Sequence, residues 1–452
     1  MEHKKFAYRH LDELKEDIVL MGVELPVSEQ LDILKTPLSL NKMVLPNRLA
    51  IHPMEGCDGT PEGAPGELTF RRYERFGAGG AGLLWMEACA VNNEGRANSK
   101  QIFLNKNTLP EFKKMFDVMI NSAKTVSGND FEPYNVLQLT HSGRYSKPHA
   151  DAPAIIAVAE NPYLDPFTNP ARLLITDEEL KLLEDQYVES ALLAKKIGFD
   201  AVDIKACHRY LISELLSAHT RKGQYGGCFE NRTRFLLNII NKIKQVVDID
   251  ITLRINAYDA IPYPFGWGTD ANGYPVLDEP RRLMQILSEK GVRLVNISTG
   301  NPYYNPHIGR PADVGPYVAP EHPIESAARM LHIIKELKAA TPGMAFVGTG
   351  FSWFREFGAN IAAGCIEQGW MDIAGFGRQS FAYPDFARDI VTEGVMLRRK
   401  CCIACTKCTE LMRYGGQAGC VIKDSKVYLP IWREATQGRT MMSSRIGIHI
   451  GG

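Results

Sequence analysis

TDEELKLLEDQYVESALLAKKIGFDAVDIK, residues 176–205, changes its period part-way along. Over Asp177–Ile197 the apolar positions Leu180, Leu183, Tyr187, Ala191 and Ala194 recur every three or four residues, which places them on one face of a helix. Thr176 stands where an N-cap is needed, Glu179 three positions on completes a capping box, and Gly198 suits the residue after the last turn. The run Ala201–Ile204 that follows reads as a short strand covered on both faces.

The same alternation of strand and helix fills the chain from about residue 36. Strand candidates are Leu49–Met54, Leu83–Glu87, Val136–Leu139, Ala201–Ile204, Ile251–Ile255, Leu294–Ile297, Ala345–Val347 and Asp372–Ala374, with a further helix over Asn231–Val247. Eight such units predict an α/β fold of the (β/α)8 TIM barrel type. A doubly wound open sheet would need fewer strands. In a barrel the chemistry lies at the C-terminal strand ends. This directs attention to Pro53-Met54-Glu55, Glu87-Ala88, Gln138–Tyr145, Lys205–Tyr210, Arg254, Gly348–Gly350 and Gly377-Arg378. Long inserts at Ser146–Ala171 and Asn301–His322 could wall a substrate pocket or serve only as surface decoration.

A second feature is CCIACTKCTELMRYGGQAGC, residues 401–420, where Cys402, Cys405, Cys408 and Cys420 are spaced C-x2-C-x2-C-x11-C. Three close thiolates plus a remote fourth suit an iron–sulfur cubane better than zinc, which favours two paired knuckles, or a disulfide knot. The other five cysteines, apart from Cys401, are scattered singly, as in a reduced cytoplasmic protein.

The 52 basic and 52 acidic side chains balance, so charge makes no case for nucleic acid or an anionic membrane as partner. The polar start EHKKFAYRHLDELKED is not a signal peptide, and no apolar run approaches the roughly 20 residues that span a bilayer. The glycines of GTG (348–350) and GFGR (375–378) fall in the last two loops of the barrel, where backbone N–H groups and Arg378 could hold a phosphate; ordinary turn chemistry is the plainer reading. Gly77, Gly79 and Gly82 form a G-x-G-x-x-G that precedes a strand instead of following one, so it reads as a helix-to-strand turn. Arg254 within an apolar strand calls for an anionic partner.

Seven stretches together resemble the old yellow enzyme family of FMN oxidoreductases. They are LPNRLAIHPMEG (45–56), GGAGLLWMEACAVNNEGR (79–96), LQLTHSGRYSKPH (137–149), GFDAVDIKACHRYLISELLSAHTRKGQYGGCFENRTRF (198–235), GTGF (348–351), GFGRQSFAYPDF (375–386) and CIACTKC…C (402–420). Within the family the chain is similar to the branch with an iron–sulfur cluster, which includes bacterial 2,4-dienoyl-CoA reductase and trimethylamine dehydrogenase. The resemblance implies non-covalent FMN with Pro53, Met54, Ala88 and Gln138 at the ring. Arg254 falls beside the part of the ring that gathers negative charge on reduction, and Gly350, Gly377 and Arg378 at the phosphate. It also implies a 4Fe-4S cluster on Cys402, Cys405, Cys408 and Cys420.

The departures matter as much. Where many relatives carry His-x-x-His or His-x-x-Asn, this chain has Lys205-Ala-Cys-His208. Lys205 and His208 could hold a substrate carbonyl, or Lys205 could simply pair with Asp203 or Glu55. Tyr145 and Tyr210 each match a family proton donor; Tyr145 is preferred, with Lys205 expected nearby to make it a better acid. Glu55 replaces a small or neutral residue and is expected to turn away from the flavin or pair with Lys205.

The resulting expectation is an N-terminal helical extension over 1–35, an FMN-binding barrel over 36–395 and a cysteine-rich 4Fe-4S extension with a Lys/Arg-containing tail over 396–452. The enzyme would reduce an activated C=C bond of a small-molecule substrate. Because the larger relatives continue into nucleotide-binding domains and this chain stops at Gly452, electrons are expected from NAD(P)H directly or from an electron-donor protein; a homo-oligomer is compatible with all of this. Two other readings stand beside it. One is an amine dehydrogenase whose alkylammonium substrate sits in a cage drawn from Tyr303, Tyr304 or Trp267. The other is a non-catalytic electron-transfer subunit.

Overall fold

The structure, a computed structural model, describes residues 5–40, 42–314 and 318–437. Residues 438–445 of the expected basic tail and 315–317 of the second insert lie outside the described residues. Eight parallel strands close into a barrel: β1 Leu49–Ile51, β2 Leu83–Ala90, β3 Tyr134–Thr140, β4 Ala201–Ile204, β5 Asp250–Asn256, β6 Leu294–Ser298, β7 Ala345–Gly348 and β8 Ile373–Phe376. Each pairs with the next in sequence and β8 pairs back onto β1, through Ala374↔Leu49 and Phe376↔Ile51. The helices on the outside are α1 Glu67–Gly77, α2 Leu109–Ser127, α3 Asp177–Ile197, α4 Phe229–Val246, α5 Asp278–Glu289, α6 Pro323–Ala339, α7 Gly358–Glu367 and α8 Phe386–Glu393.

All eight expected strands are present, with β1 shorter and β2 longer than the apolar runs suggested. α3 starts as its sequence dictates: the Thr176 hydroxyl accepts from Glu179 N, the Glu179 carboxylate accepts from Thr176 N, and Gly198 takes a left-handed φ of 118°. The glycines at 77–82 form the turn between α1 and β2, as expected.

Inside the barrel, Ala50, Leu83, Trp85, Val136, Ala201, Leu294 and Val347 make one apolar cluster. A short antiparallel hairpin, Leu38–Leu40 with Met43–Leu45, joins that cluster and plugs the N-terminal end. Fully burying such aliphatic side chains contributes about 1.5–3 kcal/mol each. The plug therefore leaves only the C-terminal end open for chemistry. Ahead of the barrel lie helices at Leu11–Leu20 and Asp32–Lys35; after it come two more, Lys407–Arg413 and Ser425–Thr436. Among the described residues no helix is long and apolar enough to cross a membrane.

Candidate active site

Two residues beyond the apolar layer, the inward-facing positions of the same strands turn polar. Gln138 of β3 donates to Asp203 of β4 (Nε2–Oδ2 2.6 Å), and Asp203 also accepts from Trp85 Nε1 (2.9 Å) and from Arg254 N (2.6 Å). Burial pushes the Asp203 carboxyl up to about 6, while these donors pull it down. Asn296 of β6 reaches His52 across the barrel (Nδ2–Nδ1 2.7 Å). Burial, helped by the Arg254 charge, holds His52 far below the usual imidazole range, so the ring is neutral at pH 7.

Two cations in this region have polar atoms without partners. Arg254 Nε, in β5, is buried with no acceptor, and so is Arg378 Nη1. The other arm of Arg378 donates to Pro311 O (3.2 Å). Gly350, at the end of β7, has φ 101°, open to glycine at little cost. A Cβ there would come nearest to Met330 Sδ, at 3.4 Å, and one at Gly377 nearest to Met54 Sδ, at 3.1 Å. The unpartnered Arg378 N–H, next to the glycine loops at the ends of β7 and β8, is a donor an anion needs. Pro53 and Met54 follow β1 directly, and Ala88 lies buried in β2.

A second group stands above this layer. Lys205, after β4, is 5% exposed; its Nζ lies 3.4 Å from Glu55 Oε1 and 3.7 Å from the centre of the Tyr210 ring. The pairing of Lys205 with Glu55 is the alternative weighed from sequence. The Tyr210 hydroxyl lies 3.4 Å from Glu55 Oε1 and 3.3 Å from the Tyr303 hydroxyl. Tyr303 stacks on Tyr145 with ring centres 3.9 Å apart. Of the two candidate tyrosines, the Lys205 ammonium lies on the face of Tyr210, whose ring centre is 6.0 Å from that of Tyr145. Burial pushes the Tyr145 phenol up to about 12; a hydrogen bond from Asn301 and the charges of Arg144 and Arg209 pull it down.

His208 and Arg209 both take left-handed backbone, with φ 62° and 60°. For non-glycine residues this is uncommon and is held by surrounding contacts. Arg209 is anchored by Asp259 (2.9 Å) and His208 N by Asn256 Oδ1 (3.4 Å). The turn aims His208 Nε2 at Ser298 Oγ, 3.1 Å away. Burial and the charges of Arg254 and Lys205 keep this imidazole neutral.

Sequence reasoning missed two parts of the site. Asn301 comes from the insert after β6, and nothing local marks it; Tyr303, from the same insert, was singled out only for an amine cage. The second is a buried carboxylate pair, Asp58 and Glu87, clamped by Arg72 of α1. Glu87 also accepts from Gly56 N (2.8 Å), and a Cβ on Gly56 would run into the Arg72 guanidinium. Burial pushes Glu87 up to about 7 against the pull of Arg72. The clamp fixes the loop that carries Glu55. Tyr304 and Trp267, the other cage candidates, are elsewhere: Tyr304 packs edge-on to Tyr163, and Trp267 lies in the core beside Phe229 and Arg232.

Cys402, Cys405, Cys408 and Cys420 line one small cavity together with Arg378 and Phe381. All ten cysteines are free thiols. Among the described residues no three His, Cys, Asp or Glu side chains converge on a single metal ion. The segment is tied to the barrel: Ala418 N donates to Gly56 O (2.6 Å), Cys402 N to Gln379 Oε1 (2.9 Å), and Asp424 accepts from Arg71 (2.7 Å) and Arg75 (2.6 Å) of α1.

The profile of the NADH:flavin oxidoreductase / NADH oxidase family matches residues 34–294. NADPH dehydrogenase of Bacillus subtilis (strain 168) is 28% identical over 361 residues, 78% of this chain and 92% of its own. Among solved structures, 2-naphthoyl-CoA reductase in complex with 2-naphthoyl-CoA matches with a TM-score of 0.70 at 19% identity, over 89% of this chain and 58% of that one. Histamine dehydrogenase from Rhizobium sp. 4-9 matches with a TM-score of 0.65 at 20% identity, over 86% of this chain and 52% of that one. The present chain thus spans little more than half of either solved neighbour, and at such identities the likeness is one of fold. The profile covers more than half the chain and runs through the polar layer just described, so the chain belongs to the NADH:flavin oxidoreductase / NADH oxidase family, the old yellow enzymes, and is a flavin oxidoreductase.

Proposed function

We propose that the protein reduces the C=C bond of an enone- or enoate-type substrate, using FMN in the barrel mouth and a 4Fe-4S cluster on Cys402, Cys405, Cys408 and Cys420. The observation that carries this reading is the hydrogen bonding of Tyr145. Asn301 Nδ2 lies 3.0 Å from the Tyr145 oxygen, and Asn301 Oδ1 accepts from Tyr303 N at 2.9 Å. The backbone donor fixes the amide's orientation, so the NH2 must face Tyr145. Tyr145 is therefore an acceptor there, and its own proton remains free for a substrate. Tyr210 differs: its hydroxyl donates toward Glu55 Oε1, and that of Tyr303 faces Tyr210.

FMN would supply a hydride equivalent to the β-carbon. The chain supplies the rest. Tyr145 gives a proton to the α-carbon, while Lys205 and neutral His208 hold the carbonyl oxygen as it gains enolate charge. The donors present fit the cofactor. Gln138, Arg254, Ala88 and the backbone at Pro53-Met54 would hold the ring system, and Gly350, Gly377 and Arg378 the phosphate. Four thiols spread around one cavity suit an object larger than a single ion, which favours the cluster over zinc. The name of the Bacillus relative supports NAD(P)H as one source of electrons.

The amine reading has one feature in its favour, the trio Tyr145, Tyr210 and Tyr303. However, Lys205 already rests on the Tyr210 face. An alkylammonium would meet a like charge there, so carbonyl substrates are favoured.

The test is anaerobic purification, metal and flavin analysis, then a panel of enoates, enones and amines mixed with reduced protein. About four iron atoms per chain are expected, with FMN released by heat and flavin reoxidation by enones or enoates only. Cys405→Ser should lose iron and keep flavin. Stoichiometric zinc without iron would remove the cluster from this reading; reoxidation of reduced flavin by none of the carbonyl compounds, with reduction of oxidised flavin by amines, would replace the reaction.

A further inference from the structure

Residues 396–437 carry eight basic side chains against three acidic ones, in a chain whose 52 basic and 52 acidic residues cancel as a whole. Two of the three acids are engaged by other groups, and the third, Glu434, lies further along the last helix. Asp424 is taken up by Arg71 and Arg75, and Glu410 accepts from Trp432 Nε1 at 2.9 Å. On the basic side, Lys400 and Arg398 are paired with Asp385, Asp389 and Glu356. Arg399, Lys423 and Lys426 are exposed and stand in no ion pair among the described residues. Lys423 Nζ donates to Arg399 O (2.7 Å), which brings the first two together, and Lys426 follows one turn on. Beside them Ile422, 39% exposed, lines the same cavity as the four cysteines, and Lys423 lines it too. A patch of uncompensated positive charge thus surrounds an apolar spot at the rim of the thiol cavity.

Resting on the cluster reading above, we infer that this face is the docking site of an acidic one-electron carrier protein, which delivers electrons at the rim of the cysteine cavity. Charge complementarity selects the partner: an acidic carrier is steered to Arg399, Lys423 and Lys426, and Ile422, which lines the cysteine cavity, supplies apolar contact. The electron count is explicit. Each carrier gives up one electron and leaves oxidised, so two carriers and two protons are consumed for each C=C bond reduced.

The test is stopped-flow reduction of the holoenzyme's flavin by a reduced acidic ferredoxin at rising ionic strength. It is run on wild type and on the double variant Arg399→Glu/Lys426→Glu, with dithionite as a small reductant that needs no docking. The second-order rate should fall as salt rises. The double variant should lose about tenfold at low salt and converge with wild type at high salt, since exposed charges are screened beyond about 10 Å at 0.1 M. Iron content and the rate with dithionite should be unchanged. A rate indifferent to salt and to the charge reversal would overturn the docking site. So would reduction by NADPH with none by ferredoxin. A dimer in wild type that the double variant abolishes, or wild-type protein that pellets with anionic vesicles, would assign the patch to another occupant and overturn it as well. Absence of iron from wild type would instead fell the cluster reading itself.

Discussion

The two halves of the barrel interior are built on the same strands and face the same way, yet they have opposite chemistry. The lower positions are Ala50, Val136, Ala201, Thr252 and Leu294; two residues further along stand His52, Gln138, Asp203, Arg254 and Asn296. Two residues of strand are about 7 Å. The lower layer is apolar apart from Thr252, whose hydroxyl bonds to Val202 O. The upper layer keeps unsatisfied polar atoms, Arg254 Nε and Asn296 Oδ1 among them. Buried polar groups are normally paired, so leaving them open costs stability, and the cost is concentrated where a flavin would sit. Stability and ligand recognition are thus separated by a single step of the strand pleat.

The sharpest way to break the comparison is one substitution in each layer. Trp85→Ala empties a fully buried site in the lower layer and removes a donor to Asp203. It should cost about 3–5 kcal/mol in chemical denaturation. Arg254→Met removes a half-buried cation whose buried Nε has no partner. The flavin-free protein should then be as stable as wild type or slightly more so, because a poorly compensated charge is lost, while flavin retention collapses. Equal destabilisation by both changes would erase the distinction between layers.

Next in size is the proton donor. Tyr145→Phe should slow reoxidation of the reduced protein by an enone roughly 10²–10⁴-fold, as loss of a general acid does. Reduction of the flavin should proceed as in wild type. Tyr210→Phe should cost less, because the Tyr210 hydroxyl serves Glu55. The reverse order, followed in single-turnover kinetics, would move the role to Tyr210. Smaller again is Arg378→Ala. One arm of this guanidinium is free for an anion, and a charge-assisted contact contributes about 1.5–3 kcal/mol. The FMN dissociation constant should rise about 10–150-fold by titration of the apoprotein, with no change in the sugar- and phosphate-free analogue lumiflavin.

How much of this was legible in the sequence follows from the range over which the causes act. β4, α3 and the caps of α3 were readable because periodicity and capping are local. Lys205, His208 and Tyr210 were found because they follow a strand directly. Arg254 was found because a charge in an apolar strand stands out, and the same rule applied to His52, Asp203 and Asn296 would have revealed the rest of the upper layer. The plug hairpin, the Arg72 clamp on Asp58 and Glu87, and the approach of Asn301 to Tyr145 were not readable. Asn301 and Tyr145 lie 156 positions apart, and the hairpin meets strands as distant as β6 and β7, so only the closed barrel brings these together; the Arg72 clamp spans just 14 and 15 positions, but it needs α1 docked against β2. Sequence placed Lys205 near both tyrosines for the same reason: it located the site but could not choose the ring that the ammonium touches, which is that of Tyr210.

The smallest effect belongs to Asn301, and it discriminates most finely. If its amide serves only to pack the insert, Asn301→Ala and Asn301→Asp should behave alike. If it donates to the Tyr145 oxygen, they should differ in a fixed order. The alanine variant loses one hydrogen bond to the phenol, worth about 0.5–1.5 kcal/mol, or up to roughly tenfold in rate. Burial already pushes this phenol up to about 12, and the Asn301 bond opposes that push, so its loss moves the titration higher still. The aspartate variant keeps the acceptor for Tyr303 N but offers Tyr145 a carboxylate. That carboxylate would capture the phenol proton otherwise available to substrate, so Asn301→Asp should be slower than Asn301→Ala. The ¹⁹F titration of 3-fluorotyrosine-labelled protein, with the Tyr145 resonance assigned by its absence in Tyr145→Phe, reads the same effect without turnover. The resonance should titrate latest in the aspartate variant, next in alanine and earliest in wild type. Identical titrations in all three would mean that Asn301 does not set the proton of Tyr145.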